Sequence, residues 1–485
     1  MTIECRIIPE PKLFFGGNKP TIDPKVGLMN FGPYGSLQDS DKSNVILTAG
    51  VISSNKSLEL LNDWLERLSY RIEGREIPDS NVRGIDFPGI SDKSPLRYKI
   101  KISNEAIEII SNKELSNALS APNRYIRILN MYKLYEQKFV DISGVHTPDI
   151  MLIPIDQTVM DKCKDKMLKQ DKIIYEKRSF DKSKISYDVP LFDFHHAIKV
   201  IAFKYGMVSQ MIRPKTLKFA DELQDPATIA WNFSGASYYK GTGIPWKLGE
   251  MDENTCYVGI SFYQEISKEE KVMRTSMAHV YLSTGESQII RGKSFRWGRD
   301  KDLSPSLTSD HASYIVEKVL SLYKRQKNKK PRRLVIHKSS EFTEEEKSGF
   351  NARTSDIEVV DYVHIGRVTD IRAYPDGFSY PAIRGTMFGK NNKWFLFTTG
   401  YIPSLGTYPG ATIPEPLTID IARLDSTPYQ ICKDIMALTK LDWNTADFCR
   451  REPVTISVSR KVGNILAEMR DNDVDNPPEG YRYYM

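Results

Sequence analysis

The sequence predicts an α/β protein built in two halves, and three observations carry that reading. VILTAGVI (45–52) followed by LNDWLERLSYRI (61–72) pairs a strand with an amphipathic helix, and DIMLIPID (149–156) leads on to the helical FHHAIKVIAFKYG. A fresh run of strands, hairpins and one long helix then starts at Cys256. The chain has 485 residues, 40% hydrophobic and 27% charged, enough for two or more domains with full cores. Its five cysteines stand far apart with no CxxC pair, which argues against a disulfide framework or zinc site and for a reducing, cytoplasmic setting. The opening MTIECRIIPEPKLFF carries charge and prolines where a secretory leader needs an apolar run. No window approaches the ~20 apolar residues of a membrane span, so no membrane partner is expected. A net charge of +6 is compatible with a polyanionic partner but mild, so local placement of charge has to decide.

Residues 1–105 read as strands separated by Gly/Pro-rich loops such as IDPKVGLMNFGPYG (22–35), with Leu61, Trp64, Leu65 and Leu68 at helical spacing. Residues 106–250 hold a buried strand at DIMLIPID, a lysine-rich loop and the helix that begins at Phe194. From 251 to 485, CYVGISFYQ is strand-like, AHVYLSTG and SQIIRGKSF look like hairpin partners, and SDHASYIVEKVLSLYKRQ is an amphipathic helix. The basic loop KRQKNKKPRR (324–333) feeds the strand LVIHK; VVDYVHIG, a hairpin RGTMFG to KWFLFTTGY, a PVTI strand and a helix SRKVGNILAEMR follow. Strand, hairpins, helix, strand is the order of an RNase H-like sheet.

The chemistry concentrates between Phe194 and Gly249. His195 and Lys199 lie four residues apart and share a helix face, and Gln210, Arg213 and Lys240 add donors around one anion, a pocket for a phosphate. A lone His-x-x-x-Lys is as well explained by a solvated polar face; the fuller set, with a GTGIP turn after Lys240 that lets backbone approach a ligand, is not. His196, on another helical face, reads as structural. Glu341, the run Glu344 to Glu346, Asp361 and Asp370 read as solvated turn, loop or cap residues. Lys324, Arg325, Lys329, Lys330, Arg332, Arg333, Arg384 and Arg460 could line a nucleic-acid duplex through phosphate contacts.

The ordered set His195, Lys199, Gln210, Lys240 resembles the guide 5′-phosphate pocket of the Argonaute MID domain. FGGNKPTIDPKVGLMNFGPYG, KGTGIPWKLG, ALTKLDWNTADF with EPVTI, and the terminal YYM extend the likeness, and the chain resembles the short prokaryotic Argonautes over nearly its whole length. The resemblance implies a Rossmann-like MID domain (106–250, preceded by the 1–105 region) and an RNase H-like PIWI domain (251–485), without a PAZ domain. It implies that a Met485 terminal carboxylate helps hold a Mg²⁺ ion bridging guide phosphates. It further implies a small RNA guide, a single-stranded DNA target, and a separate APAZ-containing effector protein of TIR, sirtuin-like or nuclease type. Target binding would switch that effector on in defence against invading nucleic acid, with a higher oligomer as one route. A PIWI active site needs acidic or His ligands for two Mg²⁺ ions, and the corresponding positions here are Ser261, Ser339 and Arg460, so no cleavage by this chain is expected. An active guide-directed nuclease would need those acids, and a phosphate-ligand metabolic enzyme would need a nucleophile or base in the pocket; neither stands out.

Overall fold

The computed structural model describes residues 3–34, 45–75, 84–145, 147–163, 193–220, 224–249, 251–252, 254–264, 272–281, 287–296, 305–367, 370–376, 381–408, 413–469 and 477–485. The lysine-rich loop ahead of Phe194 lies outside the described residues. The first lobe contains β1 (Glu4–Ile7), β2 (Leu13–Phe15), β3 (Lys19–Thr21), α1 (Pro24–Phe31), β4 (Val45–Ser53), α2 (Asn55–Leu68), β5 (Tyr98–Ile109), α3 (Asn112–Leu119), α4 (Arg124–Ser143), β6 (Ile150–Pro154), α5 (Gln157–Lys162), α6 (Phe194–Lys204), β7 (Ser209–Ile212), α7 (Pro214–Leu217), α8 (Pro226–Gly241) and β8 (Lys247–Leu248). β5, β4, β6 and β7 form a parallel four-stranded sheet in that order. Successive strand residues point to opposite faces. Leu152 therefore joins a core with Trp64 of α2 and Trp231 of α8, while Met151 and Ile153 pack with Tyr135 of α4 and Ile198 of α6. Helices on both faces of a parallel sheet make this lobe Rossmann-like.

The second lobe runs through β9 (Thr255–Gln264), β10 (Val272–Tyr281), β11 (Ser287–Ile290), β12 (Ser294–Arg296), α9 (Ser309–Lys327), β13 (Arg333–Lys338), α10 (Glu344–Thr354), β14 (Val359–Arg367), β15 (Thr386–Lys390), β16 (Lys393–Leu396), β17 (Leu417–Arg423), α11 (Pro428–Leu438) and α12 (Val454–Leu466). Its strands form one sheet in the order β1-β15-β16-β17-β14-β13-β9-β10-β11, with β12 on β10. β9, β13 and β14 are parallel, and β9 and β10 are antiparallel, the RNase H-like arrangement. α9 and α10 cover one face through Ile315, Val319 and Phe350; α11 and α12 cover the other through Ile435, Val458 and Val462.

Two expectations from sequence change. The division at 105/106 falls inside β5, and β4 already belongs to the four-stranded sheet, while β1 crosses over to pair with β15 of the large sheet. The 1–105 region is thus woven into both sheets. PVTI is the first turn of α12 rather than a strand. Its β-branched composition suggested a strand, but Val454, Val458, Val462 and Leu466 repeat every four residues and all are buried, so helical packing prevails.

Candidate nucleic-acid interface

Helix α6 begins where Asp193 caps it, its carboxylate accepting from the His196 N–H at 3.1 Å. Ala197, Ile198, Val200 and Ile201 bury the rest of the helix in the core and carry Lys199 in with them, leaving it 3% exposed. Lys199 Nζ donates to the Ser209 carbonyl at 3.3 Å and to the Met485 main-chain oxygen. Lys240, near the C-terminal end of α8 and 1% exposed, donates to the same Ser209 carbonyl at 3.1 Å and to Gln210 Oε1 at 2.6 Å. The Gln210 amide is aimed by its own bond from Nε2 to the Met211 carbonyl. Lys199, Lys240, Gln210 and Met485 are therefore gathered around the start of β7. Met485 reaches them because the C-terminal residues pack inward, with Tyr484 against Phe203 at 5.5 Å and Tyr481 against Tyr239 at 6.2 Å.

Two buried ammonium groups sharing one carbonyl are electrostatically strained. Burial pushes the Lys199 amine down to about 7, and burial followed by the Lys199 charge holds Lys240 well below the usual lysine range. The His195 imidazole, half-buried one turn from Lys199, is held well below its usual value, first by burial and then by Lys199, with His196, Lys240 and Arg213 adding to it. Arg213 is exposed at the N-cap of α7, close enough for its charge to act on His195. An anion in this pocket would relieve each of these penalties at once. The Ser209 carbonyl and the Asp193 cap were not singled out from sequence; Asp193 stands immediately before an apolar helical run, a readable N-cap signature.

The His196 ring, expected to be structural, lies with Nδ1 3.6 Å from Asp193 Oδ2. Asp193, His195 and His196 bring three potential metal-ligand atoms within 4.8 Å of one another. At the Met485 end, the residues alone offer a hard divalent ion little, since Lys199 already engages the Met485 oxygen and Lys240 engages Gln210 Oε1.

On the large sheet, Lys338 pairs with Ile260, so Ser261 is the next residue of β9 and Ser339 the first residue past the end of its parallel neighbour β13. Ser261 is 4% exposed and Ser339 is exposed. The first turn of α12 presses on β9 there: an added Cβ at Gly259 would lie 1.9 Å from the Thr455 carbonyl oxygen, and Thr455 Oγ1 lies 2.9 Å from His337 Nδ1. Arg460, further along α12, is exposed and bonds Glu452 at 3.0 and 3.2 Å.

Several charged residues depart from their expected roles. Arg333 is buried against Asp361 and Asp434, and Arg384 against Glu10. Arg325, Lys330 and Arg332 pair with Glu479, Asp356 and Asp252, so the basic residues expected to line a duplex are largely neutralised by carboxylates. Glu346 and Asp361 are not solvated: Glu346 is fully buried against Lys338 while closing the α10 capping box, and Asp361 sits within β14 accepting from Arg333 and the Asp425 and Ser426 N–H groups.

No protein-family description matches this sequence, and no curated protein matches it. Among solved structures, it is similar to Clostridium butyricum Argonaute bound to a guide DNA and a 19-mer target DNA, at 18% identity and a TM-score of 0.66, covering 98% of this chain and 54% of that one. Marinitoga piezophila Argonaute in complex with a 5′ OH guide RNA (13% identity, TM-score 0.55, 95% and 57%) and Drosophila Piwi (12%, 0.54, 99% and 56%) are also similar. The chain spans little more than half the length of these structures. Among the described residues no helix is long and apolar enough to cross a membrane. The mixed α/β arrangement matches Argonaute MID and PIWI structures, and the fold of this chain is Argonaute-like.

Proposed function

We propose that this chain is the guide-binding half of a two-protein nucleic-acid sensor, holding a 5′-phosphorylated small RNA and pairing it with single-stranded DNA from an invader. The observation that carries the proposal is the convergence of the buried Lys199 and Lys240 amines on one carbonyl oxygen, with at most the Met485 carboxylate to balance their charge when both are protonated. A terminal phosphate supplies the balancing charge and accepts from both, with Gln210, Arg213 and His195 around it. The Marinitoga Argonaute complex holds a guide with a 5′ hydroxyl; the paired lysines here favour the phosphate. Guide phosphates bring their own oxygens, and with them Mg²⁺ would find a place beside the Met485 carboxylate, neutralising charge without taking part in cleavage.

Ser261 and Ser339 give hard divalent ions poor ligands and Arg460 repels them, which supports a chain that binds and does not cut. Activity then belongs to an APAZ-containing partner, a TIR or sirtuin-like NAD-consuming protein or a nuclease, switched on when target pairing favours the active assembly.

The test compares 5′-phosphorylated and 5′-hydroxyl guides on wild type and Lys199→Ala/Lys240→Ala. Each lost charge-assisted contact weakens binding by about 1.5–3 kcal/mol, so the double variant should lose phosphorylated guide at least about a hundredfold and hydroxyl guide far less. Equal losses sink the pocket assignment. With guide and Mg²⁺ or Mn²⁺, a complementary target should stay uncut by the purified chain.

A further inference from the structure

Asp193 caps α6, and His195 and His196 are its second and third residues. Helical side chains lean toward the N-terminus, so two rings in the first turn tilt back toward the cap carboxylate. There the three residues meet: one potential ligand atom from each lies within 4.8 Å of the other two. Among the described residues no other group of three His, Cys, Asp or Glu side chains does this. Asp193 Oδ1 accepts from the His196 N–H, which leaves Oδ2 at 3.6 Å from His196 Nδ1. A tetrahedral Zn²⁺ about 2.0–2.1 Å from each ligand spaces its ligands about 3.4 Å apart, so this pair already stands at ligand separation. The Asp193 and His196 side chains are each 23% exposed and His195 is half-buried, so an ion can reach the cluster and keep a solvent ligand.

Charge acts on the cluster from both signs. Lys199, Lys240 and Arg213 all act on His195, and the positive end of the α6 dipole adds to them. Against these stand the Asp193 carboxylate and that of Glu468, 6% exposed, whose Oε1 accepts from the Asp193 N–H at 3.0 Å. Imidazole nitrogen selects zinc-type ions over Mg²⁺ and Ca²⁺, which prefer oxygen ligands.

We propose that Asp193, His195 and His196 form a Zn²⁺ site at the start of α6, with the fourth position open to water. The site bears on the pocket beside it through His195. A neutral imidazole carries its proton on either nitrogen, and a metal on one nitrogen leaves the proton on the other. Zinc-bound His195 is thereby fixed as an N–H donor to an anion held by Lys199 and Lys240. That consequence, unlike the site itself, rests on the guide reading above.

The untagged chain is stripped with chelator and titrated, without guide, with Co²⁺ and with Zn²⁺. Co²⁺ should give the visible absorption of a tetrahedral nitrogen and oxygen site with no thiolate-to-metal charge-transfer band, and Zn²⁺ should displace it. Asp193→Asn keeps the helix cap, because Asn caps about as well as Asp, so its thermal midpoint in chelator should match wild type. Asp193→Asn and His196→Ala should each weaken Zn²⁺ binding at least about tenfold. Zinc should then raise the midpoint of wild type more than that of either variant. His196→Ala leaves Lys199, Gln210 and Lys240 in place, so in chelator it should keep the preference for 5′-phosphorylated guide, while zinc should strengthen that guide in wild type only. No binding by wild type, an octahedral or thiolate spectrum, or wild-type affinity in either variant overturns the zinc site and leaves the phosphate pocket standing. Zinc binding by a chain with no preference for phosphorylated guide overturns the pocket and the donor role of His195, and leaves the metal site intact.

Discussion

The pocket under α6 and the network under β13 both bury cations, and they bury them in opposite ways. Around β7, two ammonium groups meet a carbonyl, a side-chain amide and the Met485 main-chain oxygen. At the start of β13, the Arg333 guanidinium meets Asp361 at 2.8 Å and Asp434 at 2.7 Å. The second arrangement is complete and its chemistry is architectural. The first has no side-chain carboxylate among its hydrogen-bond partners and at most the Met485 carboxylate to balance two amines, and that shortfall marks a ligand site.

The comparison breaks most readily at the complete network. Arg333→Ala leaves Asp361 and Asp434 buried without their cation, which should destabilise the chain by about 3–5 kcal/mol in urea denaturation. The preference of the remaining folded protein for a 5′-phosphorylated guide should be unchanged. A lost preference would mean that the two regions are coupled.

Lys199→Met should act the other way. Replacing a buried, under-compensated ammonium by an apolar side chain of similar length should leave stability unchanged or raised, while phosphorylated guide loses about 1.5–3 kcal/mol of binding. Thermal unfolding and guide titration on the same variant separate the two effects, and a destabilised variant with intact guide binding would reassign Lys199 to architecture.

Why was one region readable in the sequence and the other not? The pocket residues His195, Lys199, Gln210 and Lys240 carry their pattern in spacing and residue type, and the parallel strands β4 and β6 announced themselves as apolar runs bounded by loops. Ion pairing is a different matter, because it joins residues distant in sequence. Nothing near Arg333 points to Asp434, 101 residues away, nor near Arg384 to Glu10, 374 away, so these two members of the expected duplex-lining set turn out to be buried cross-links between elements. Helix and strand competed at PVTI, where local β-propensity lost to a four-residue apolar repeat visible only over a longer window. The pairing of β1 with β15 joins residues almost 400 positions apart, and no local signal carries it.

Proton linkage sharpens the comparison further. Lys199 sits at about 7 in the pocket and at its ordinary value near 10.5 in the unfolded chain, so between those limits the unfolded chain holds a proton that the folded one has released. Stability should therefore rise with pH across that window, and Lys199→Met should flatten the rise. Guide binding carries the reverse sign. A phosphate favours the charged amine, binding above pH 7 takes up a proton, and affinity for phosphorylated guide should fall by a few-fold from pH 7 to pH 9 while hydroxyl guide stays flat. The phosphate itself is already dianionic in this range and adds no slope.

The smallest effect belongs to Arg460. It is one of two arginines on Glu452, with Arg367 the other at 2.8 Å, and nearly half of its side chain is exposed. A surface ion pair of this kind stabilises by about 0.2–1 kcal/mol, and Glu452 keeps Arg367 when Arg460 is removed. Arg460→Ala should therefore shift the unfolding midpoint little, and the shift should shrink further in high salt. Removing the arginine that stands at the third expected ligand position also tests whether repulsion alone keeps metal away. With two serines still in place the ligands for a divalent ion remain poor, so Arg460→Ala with guide and Mn²⁺ should leave a complementary target intact. Guide-directed cutting at one defined position by this variant would make Arg460 a metal-excluding switch rather than one half of an exposed ion pair.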